Sequence, residues 1–326
     1  MQKNKEMKKR NYFLSTLLVI FLVGILLAVA GLCSGGSLIS YQVEQNENEN
    51  GEMISGTTTL SDTEAQSIIG LDFNFKASSA KIINGNHYSI ESSGHYKSSV
   101  KDGIWHVETT YPKAKLTFLA RKIEIPAFWN GWGDDEEEFI ITIPSNNDLT
   151  TADIQLAAGE LNGDSLCADT VSFKIGAGEL DFKELNAKDC KIKVGAGEAA
   201  FQEYLIEESC DIKVGAGEIE FGSEDVILSE NVITDLKGEC AAGEIYIAGK
   251  LIGDTDLDCA TGEIDLLLDG SRSNYNINTS GAMSEINVDD SSDKNVQSDF
   301  EENKKEQYAD ISLDCSLGEI NVKFEE

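Results

Sequence analysis

Gly176-Ala177-Gly178-Glu179-Leu180 is followed by Gly195-Ala196-Gly197-Glu198-Ala199 and then by Gly215-Ala216-Gly217-Glu218-Ile219. Five more copies of the small-Gly-Glu-aliphatic motif flank these three, one before and four after: Ala158-Gly159-Glu160-Leu161, Ala242-Gly243-Glu244-Ile245, Thr261-Gly262-Glu263-Ile264, Met283-Ser284-Glu285-Ile286 and Leu317-Gly318-Glu319-Ile320. Most neighbouring copies are about 20 residues apart, a spacing that indicates stacked structural repeats.

Apolar residues alternate with polar ones on both sides of each motif glycine. Around Gly178 they are Phe173, Ile175, Leu180 and Phe182. Alternation with a period of two predicts strands, and the shift of phase at the Gly-Glu step predicts a corner, for which glycine has the conformational freedom. Each repeat is therefore interpreted as one short coil. Because such coils cannot bury a face alone, the predicted fold is all-β, a parallel β-solenoid of stacked coils.

The repeats occupy residues 145–326, and less regular strands precede them in residues 61–144. Alternating segments at Leu71–Phe75, Ile104–Glu108 and Ile123–Ile125 predict strands in this opening β region. We expect it to form an irregular β cap of the same domain, which hides the edge of the first coil.

The N-terminus divides into a basic cytoplasmic stub (1–11), an apolar segment (12–33) and a polar linker (34–60). No charged residue occurs from 12 to 32, and a helix of that length spans a bilayer core. The basic residues before it predict a single-pass cell-membrane protein with a cytoplasmic N-terminus and an extracytoplasmic C-terminal domain. The alternatives to this transmembrane anchor are a signal segment cleaved after Ala30 and a lipid-modified Cys33.

The chain is strongly acidic, because 58 Asp and Glu oppose 26 Lys and Arg, for a formal net charge of −32. Nothing offsets the repulsion of phosphate, which argues against nucleic acid as a partner. The expected partners are the membrane, through the N-terminal helix, and an envelope protein or a glycan. The charge favours cationic ligands or weakly held divalent metals.

The Gly-Ala-Gly-Glu repeats, with Ile143-Pro144 and an opening strand region before them, resemble the bacterial "putative adhesin" family of unknown function. The resemblance covers roughly residues 68–326 and rests on a repeated motif. It implies a membrane-anchored β-solenoid in the cell envelope. That family has no established catalytic motif, so the resemblance implies no active-site residue.

The motif glutamates are expected to form a column along the stack. At about 4.8 Å, one rung, two unit charges repel by about 0.9 kcal/mol in water and by about four times as much at an effective dielectric of 20. Either calcium bridges the column, with Glu179, Glu198 and Glu218 as candidate ligands, or each carboxylate is solvated or accepts backbone N–H bonds. The second interpretation is favoured, because one monodentate carboxylate per rung is a poor calcium site. No other cofactor is expected.

The cysteines show no metal-finger spacing. Cys190 and Cys210 share one predicted core position, and Cys240, Cys259 and Cys315 share another. They are interpreted as small core residues. Strained disulfides between neighbouring coils, Cys190 with Cys210 and Cys240 with Cys259, are the alternative. The histidines lie in the opening region and are expected on strand surfaces: His87, His95 and His106.

The segment from Pro126 to Glu138 differs from the rest of the chain, because an aromatic group precedes an acidic run there. Phe128, Trp129 and Trp132 stand in a loop with glycines. Such tryptophans either fold back as a cover or stack on a sugar or a partner, so these three residues are candidate binding residues.

The sequence contains no singular cluster of catalytic residues. Lys174, Lys193 and Lys213 form a column, but periodic residues more often reflect repetition than a unique site. We therefore expect a non-catalytic cell-envelope protein, a scaffold or an adhesin-like binding module. An accessory or sensor subunit that regulates a membrane partner is the first alternative, and a carbohydrate-active enzyme on a β-helix is the second.

Overall fold

The computed structural model describes residues 40–44, 54–76, 78–110, 113–118, 121–126, 138–145, 149–223, 229–288 and 308–325. Nearly all of them lie in strands, which confirms the all-β class. Within these ranges, no helix is both long enough and apolar enough to cross a membrane. The predicted basic stub 1–11 and the apolar segment 12–33 lie outside the described residues.

The strands, in chain order, are β1 (Ser40–Glu44), β2 (Ile54–Thr59), β3 (Gly70–Phe75), β4 (Ser78–Gly85), β5 (Ser89–Lys101), β6 (Ile104–Thr110), β7 (Lys113–Phe118), β8 (Arg121–Pro126), β9 (Glu138–Pro144), β10 (Leu149–Val194), β11 (Glu198–Val214), β12 (Glu218–Phe221), β13 (Val232–Asp269), β14 (Tyr275–Ser280), β15 (Met283–Val288) and β16 (Ala309–Glu325). The described helices are α1 (Asp62–Ala65) and a 3-10 turn (Arg272–Asn274).

The repeats stack in parallel register, so the same motif position recurs on neighbouring coils. β10 pairs with β11, which places Glu179 beside Glu198 and Ile192 beside Ile212. β11 pairs with β12 and β13 in the same sense. β10 and β13 each contain two copies of the motif, so one long strand runs through more than one coil.

The inward positions are filled as the alternation predicts. Phe182, Phe201 and Phe221 are fully buried at equivalent positions. Their rings stack, with centroids 6.5 Å apart for the first pair and 5.0 Å for the second. Each coil thus completes the apolar contacts of its neighbours, which is why the stack folds as a unit.

The motif glycine is required for two different reasons. Gly159 has a φ of 98°, a left-handed conformation that side chains rarely adopt. Gly197 has no such φ, but a Cβ there would run into the backbone carbonyl of Gly178 on the neighbouring coil. The predicted conformational freedom therefore applies at some copies, whereas close packing between coils selects glycine at others.

The opening region adds coils of its own and then changes to antiparallel pairing. β3 and β4 pair in parallel with the start of β10, which places Ser78 beside Gly159. β6 and β9 pair in parallel with β3 and β4. β5 runs antiparallel to both β6 and β9, and β2 runs antiparallel to β5. The parallel stack thus begins upstream of residue 145, where the repeats were expected to start.

The last coils do not stack in chain order. β16 pairs with β13, which places Gly318 beside Gly262, and its other edge pairs with β14 and β15, which places Ser284 beside Gly318. The final repeat therefore lies between the two repeats that precede it. The degraded copy forms the outermost coil of the described residues, where Met283 is 74% and Ile286 38% exposed.

Part of the stretch predicted as a polar linker, 34–60, forms strands. β2 contains Ile54 and Thr57–Thr59, β-branched residues that suit a strand. β1 belongs to a separate compact unit, an antiparallel sheet in the order β1-β7-β8. The predicted strand Ile123–Ile125 is β8 of that unit, and not a part of the cap as expected.

Candidate functional site

The motif glutamates lie in register along one edge of the stack. They form two runs of paired positions. The first run lies on β10 to β13 and consists of Glu179, Glu198, Glu218 and Glu244. The second run lies on β13, β16 and β15 and consists of Glu263, Glu319 and Glu285. With the motif glycines they line one open cleft. We name these seven residues the carboxylate ladder: Glu179, Glu198, Glu218, Glu244, Glu263, Glu319 and Glu285. Seven of the eight glutamates of the predicted column therefore line this cleft, with the last two members exchanged, whereas Glu160 does not line it.

Carboxylates converge most closely where the two runs of the ladder meet. One oxygen each of Glu244, Glu263 and Asp265 lies within 4.8 Å of the other two, and the described residues contain no other such group of three. Asn321 donates from Nδ2 to Glu263 Oε1 at 3.0 Å and to Asp265 Oδ1 at 2.8 Å. Clustered carboxylate and amide groups are the ligands that hard divalent cations take. The predicted candidates Glu179, Glu198 and Glu218 are in register but belong to no such cluster.

The electrostatics of this cluster favour binding of a positive charge. Burial raises the pKa of Glu263, and the negative charges of Asp265 and Glu319 raise it further, while the Asn321 hydrogen bond opposes them. Like charges this close are relieved either by a proton or by a cation. The cluster can therefore hold a proton or a hard metal ion.

Sequence reasoning missed Asp265 and Asn321, because it followed only the Gly-Glu motif. A signal was present, since the last three copies continue as Glu263-Ile-Asp265, Glu285-Ile-Asn287 and Glu319-Ile-Asn321. Residues two apart on a strand point to the same side, so each copy carries two oxygen-bearing side chains on one face.

The predicted core cysteines are buried, each at most 3% exposed: Cys190, Cys210, Cys240, Cys259 and Cys315. They are free thiols, so the disulfides weighed as an alternative are not formed, although Cys190 lies beside Cys210. The contact with Cys190 raises the pKa of Cys210, and burial raises it further. A buried thiol kept protonated is unreactive.

The histidines are surface groups of the opening region. His87 and His95 are exposed. His106 Nδ1 lies 2.8 Å from Asp72 Oδ2, and the two side chains are 41% and 43% exposed, so this pair contributes little stability. The candidate binding residues Phe128, Trp129 and Trp132 lie outside the described residues.

Parallel stacked coils with one repeated acidic edge define an all-β repeat protein. The chain belongs to the Toastrack DUF4097 family, whose model matches residues 71–323. The resemblance inferred from the Gly-Ala-Gly-Glu repeats is confirmed by that match.

Two solved structures are similar to this chain. A "putative adhesin" from Bacteroides fragilis NCTC 9343 shares 10% identity, with 84% of this chain and 97% of that chain covered and a TM-score of 0.43. A "putative cell adhesion protein" from Clostridium sporogenes ATCC 15579 shares 13% identity, with 85% and 100% covered and a TM-score of 0.22. No curated protein matches the sequence.

Proposed function

We propose that this protein is a non-catalytic, adhesin-like binding module of the cell envelope, built as a β-solenoid. The observation that carries the proposal is the carboxylate ladder, in which one acidic group recurs at the same position of successive coils. A ladder offers many weak and equivalent contacts, and a ligand that is itself repetitive gains affinity from binding several of them at once. An active site, by contrast, requires one convergent cluster with distinct roles.

The charge of the ladder limits the chemistry of its ligand. Closely spaced carboxylates repel an anionic polymer, so the ligand is either cationic or held through divalent cations. The Glu244–Glu263–Asp265 cluster is the place on the ladder where such a cation has several oxygen ligands. This makes binding to an envelope surface sensitive to chelators.

We infer that the module stands outside the cytoplasm on a single-pass anchor formed by residues 12–33. The support is the uncharged stretch from 12 to 32 and the basic residues before it. Protease added to intact cells should degrade the β-domain of an anchored protein and leave the N-terminal stub protected. Protection of the whole chain would contradict this topology.

Binding of the full chain to isolated cell envelopes, with calcium and with a chelator, tests the proposed function. The variant Glu179→Gln/Glu198→Gln/Glu218→Gln should bind at least about tenfold more weakly, because three equivalent contacts are lost. The matched control is Glu203→Gln/Glu207→Gln/Glu208→Gln, which removes three exposed carboxylates of β11 outside the ladder and should bind as the wild type does.

Three results would contradict the proposal. Equal losses in both variants would assign binding to net charge alone. Recovery of one fixed membrane protein by crosslinking, without any envelope binding, would favour an accessory subunit. Cleavage of an envelope glycan by the protein would identify an enzyme.

A further inference from the structure

A second surface, on the strand that precedes each motif glycine, carries charges of both signs in a definite order. Its first row, four residues before the glycine, runs in stacking order as Lys174, Lys193, Lys213, Glu239, Asp258 and Asp314. Its second row, six residues before the glycine, runs as Ser172, Lys191, Asp211, Lys237, Asp256 and Ser312. We name these twelve residues the charged face. The charged residues of both rows are exposed, except that Asp314 is half-buried.

Each row is complementary in charge to the same row of a second copy whose coils run in the opposite order. A two-fold axis parallel to the strands, between Lys213 and Glu239, keeps each row opposite itself and reverses the order of the coils. The first row then opposes Lys213 to Glu239, Lys193 to Asp258 and Lys174 to Asp314 of a second copy. The second row opposes Asp211 to Lys237, Lys191 to Asp256 and Ser172 to Ser312. Every charge on the face meets the opposite sign, as an isologous interface requires.

The charges of the face differ in their partners within the chain. Lys174 pairs with Asp153 at 3.1 Å, Lys191 lies 4.0 Å from Asp211, and Asp314 accepts a hydrogen bond from Ser280. Lys213 bonds Glu239 at 2.7 Å, so the charges nearest the axis would join one network of four. Neither Lys193 nor Asp258 forms an ion pair with another described residue. Burial, Asp256 and Asp314 raise the pKa of Asp258, so this end of the face favours a positive neighbour.

The shape of the face permits close approach. Two residues before each glycine, beside the first row, every side chain is small: Gly176, Gly195, Gly215, Ala241, Ala260 and Ser316. These residues and the first row line one shallow groove. On the other side of the two rows, eight residues before the glycine, stands an acidic row of Asp189, Asp235, Asp254 and Asp310. This row lies at a corner, where the register shifts after Ala187 and Asp235 has a φ of 47°, so it is not part of the charged face.

We propose that two copies of this protein associate through their charged faces, antiparallel about this two-fold axis. Six coils at about 4.8 Å and five residues at about 3.3 Å give each face roughly 475 Å². An area of this size is typical of weak, transient complexes. The net charge of −32 opposes association at long range, but this repulsion is screened beyond about 10 Å at 0.1 M salt. Self-association should therefore be greatest near 0.1 M salt and be lost near 1 M.

Sedimentation of the full chain, in a non-ionic detergent and over a range of salt and protein concentrations, tests this proposal. Reversal of one half of the face, Lys191→Glu/Lys193→Glu, should weaken self-association at least about tenfold, because like charges then oppose each other. Reversal of the other half, Asp256→Lys/Asp258→Lys, should do the same. An equimolar mixture of the two variants, and a chain that carries all four substitutions, should each recover dimers.

The matched control is Lys183→Glu/Lys188→Glu, which makes the same charge change at two exposed lysines outside the face and should leave association unchanged. A zero-length carbodiimide crosslink between Lys193 and Asp258 would support the arrangement, because these residues lie three coils apart within one chain. A wild type that stays monomeric would overturn the proposal. Dimers that survive either charge reversal would also overturn it. So would a loss of dimers that neither the mixture nor the fourfold variant restores, because the face would then bind a different partner or stabilise the fold.

Discussion

Glu263 lies beside Glu319 at the same register position of β13 and β16. Asp265, two residues further along β13, joins Glu263 and Glu244 in the one cluster of three close carboxylates within the described residues. Carboxylates gather here because Glu244, Glu263 and Asp265 come from two neighbouring coils, and Asn321 of the next coil donates hydrogen bonds to two of them. Any divalent cation bound along the ladder should therefore depend on this part of it.

Calcium should stabilise the protein through this cluster. At ten times the dissociation constant, binding to the folded state adds about 1.4 kcal/mol to the free energy of unfolding. Thermal unfolding with and without calcium should show an increase in Tm for the wild type that Glu263→Gln/Asp265→Asn abolishes. The variant Glu179→Gln/Glu198→Gln/Glu218→Gln should retain the increase. If calcium leaves the wild-type Tm unchanged, the ladder binds no calcium.

The stability of the protein should fall as the pH rises through the titration range of Glu263. Its pKa is raised in the folded protein, mainly by burial, so between about 4.3, the unfolded value, and the higher folded value the unfolded chain ionises first. Ionisation of the unfolded chain favours unfolding. Glu263→Gln should flatten this part of the profile, by under about 1 kcal/mol because the group is partly solvated. Urea unfolding at several pH values measures it.

Glu239 serves as a control, because its contribution to stability should change with pH in the opposite direction. A hydrogen bond from Lys213 lowers the pKa of Glu239, so its contribution is present above the unfolded pKa and is lost as the pH falls through the folded value. Glu239→Gln should therefore reduce the acid-side loss of stability that Glu263→Gln leaves intact. Identical pH profiles of stability for the two variants would show that neither carboxyl group has a shifted pKa in the folded protein.

The class of fold could be predicted from the sequence because its determinants are local and repeated. The alternation around Gly178 recurs in most coils, so the inward position of Phe182 and Phe201 followed directly. The order of the last coils could not be predicted, because exchanging the repeats of Ser284 and Gly318 leaves every local pattern unchanged. The cation cluster was missed for a similar reason, since it depends on which coils become neighbours.

Two isoleucines at the same motif position should therefore differ in their contribution to stability. Ile320 is fully buried between two neighbouring coils, whereas Ile286, on the outermost described coil, is 38% exposed. Ile320→Ala should cost about 2 to 5 kcal/mol of unfolding free energy, and Ile286→Ala under about 1 kcal/mol. Urea denaturation of the two variants measures both values. If Ile286→Ala instead cost more unfolding free energy than Ile320→Ala, the last coils would stack in chain order.

The exposed thiol of Cys167 should react faster than the buried thiols. Cys167 is the exposed cysteine among the described residues, whereas the others are buried. Thiolate formation and access control cysteine reactivity, so a thiol reagent should modify native wild type at Cys167 and spare Cys190 and Cys210. Cys167→Ser should lose one rapidly reacting thiol, and Cys190→Ser should lose none. Equal labelling of all cysteines after denaturation checks that the buried ones are free.

Close packing of backbones at Gly197 should make this position intolerant of alanine. A Cβ at Gly197 would meet the carbonyl oxygen of Gly178 on the neighbouring coil, and the in-register ladder on both sides prevents the coils from moving apart locally. Gly197→Ala should therefore cost about 2 to 3 kcal/mol, as overpacking does. Ala196→Ser adds one atom at the exposed neighbouring residue and should change stability by less than about 0.5 kcal/mol. The φ of Gly197 is not left-handed, so alanine at this position causes no backbone strain of that kind. If Gly197→Ala lowered the free energy of unfolding as little as Ala196→Ser does, the coils would not approach each other as closely as the register requires.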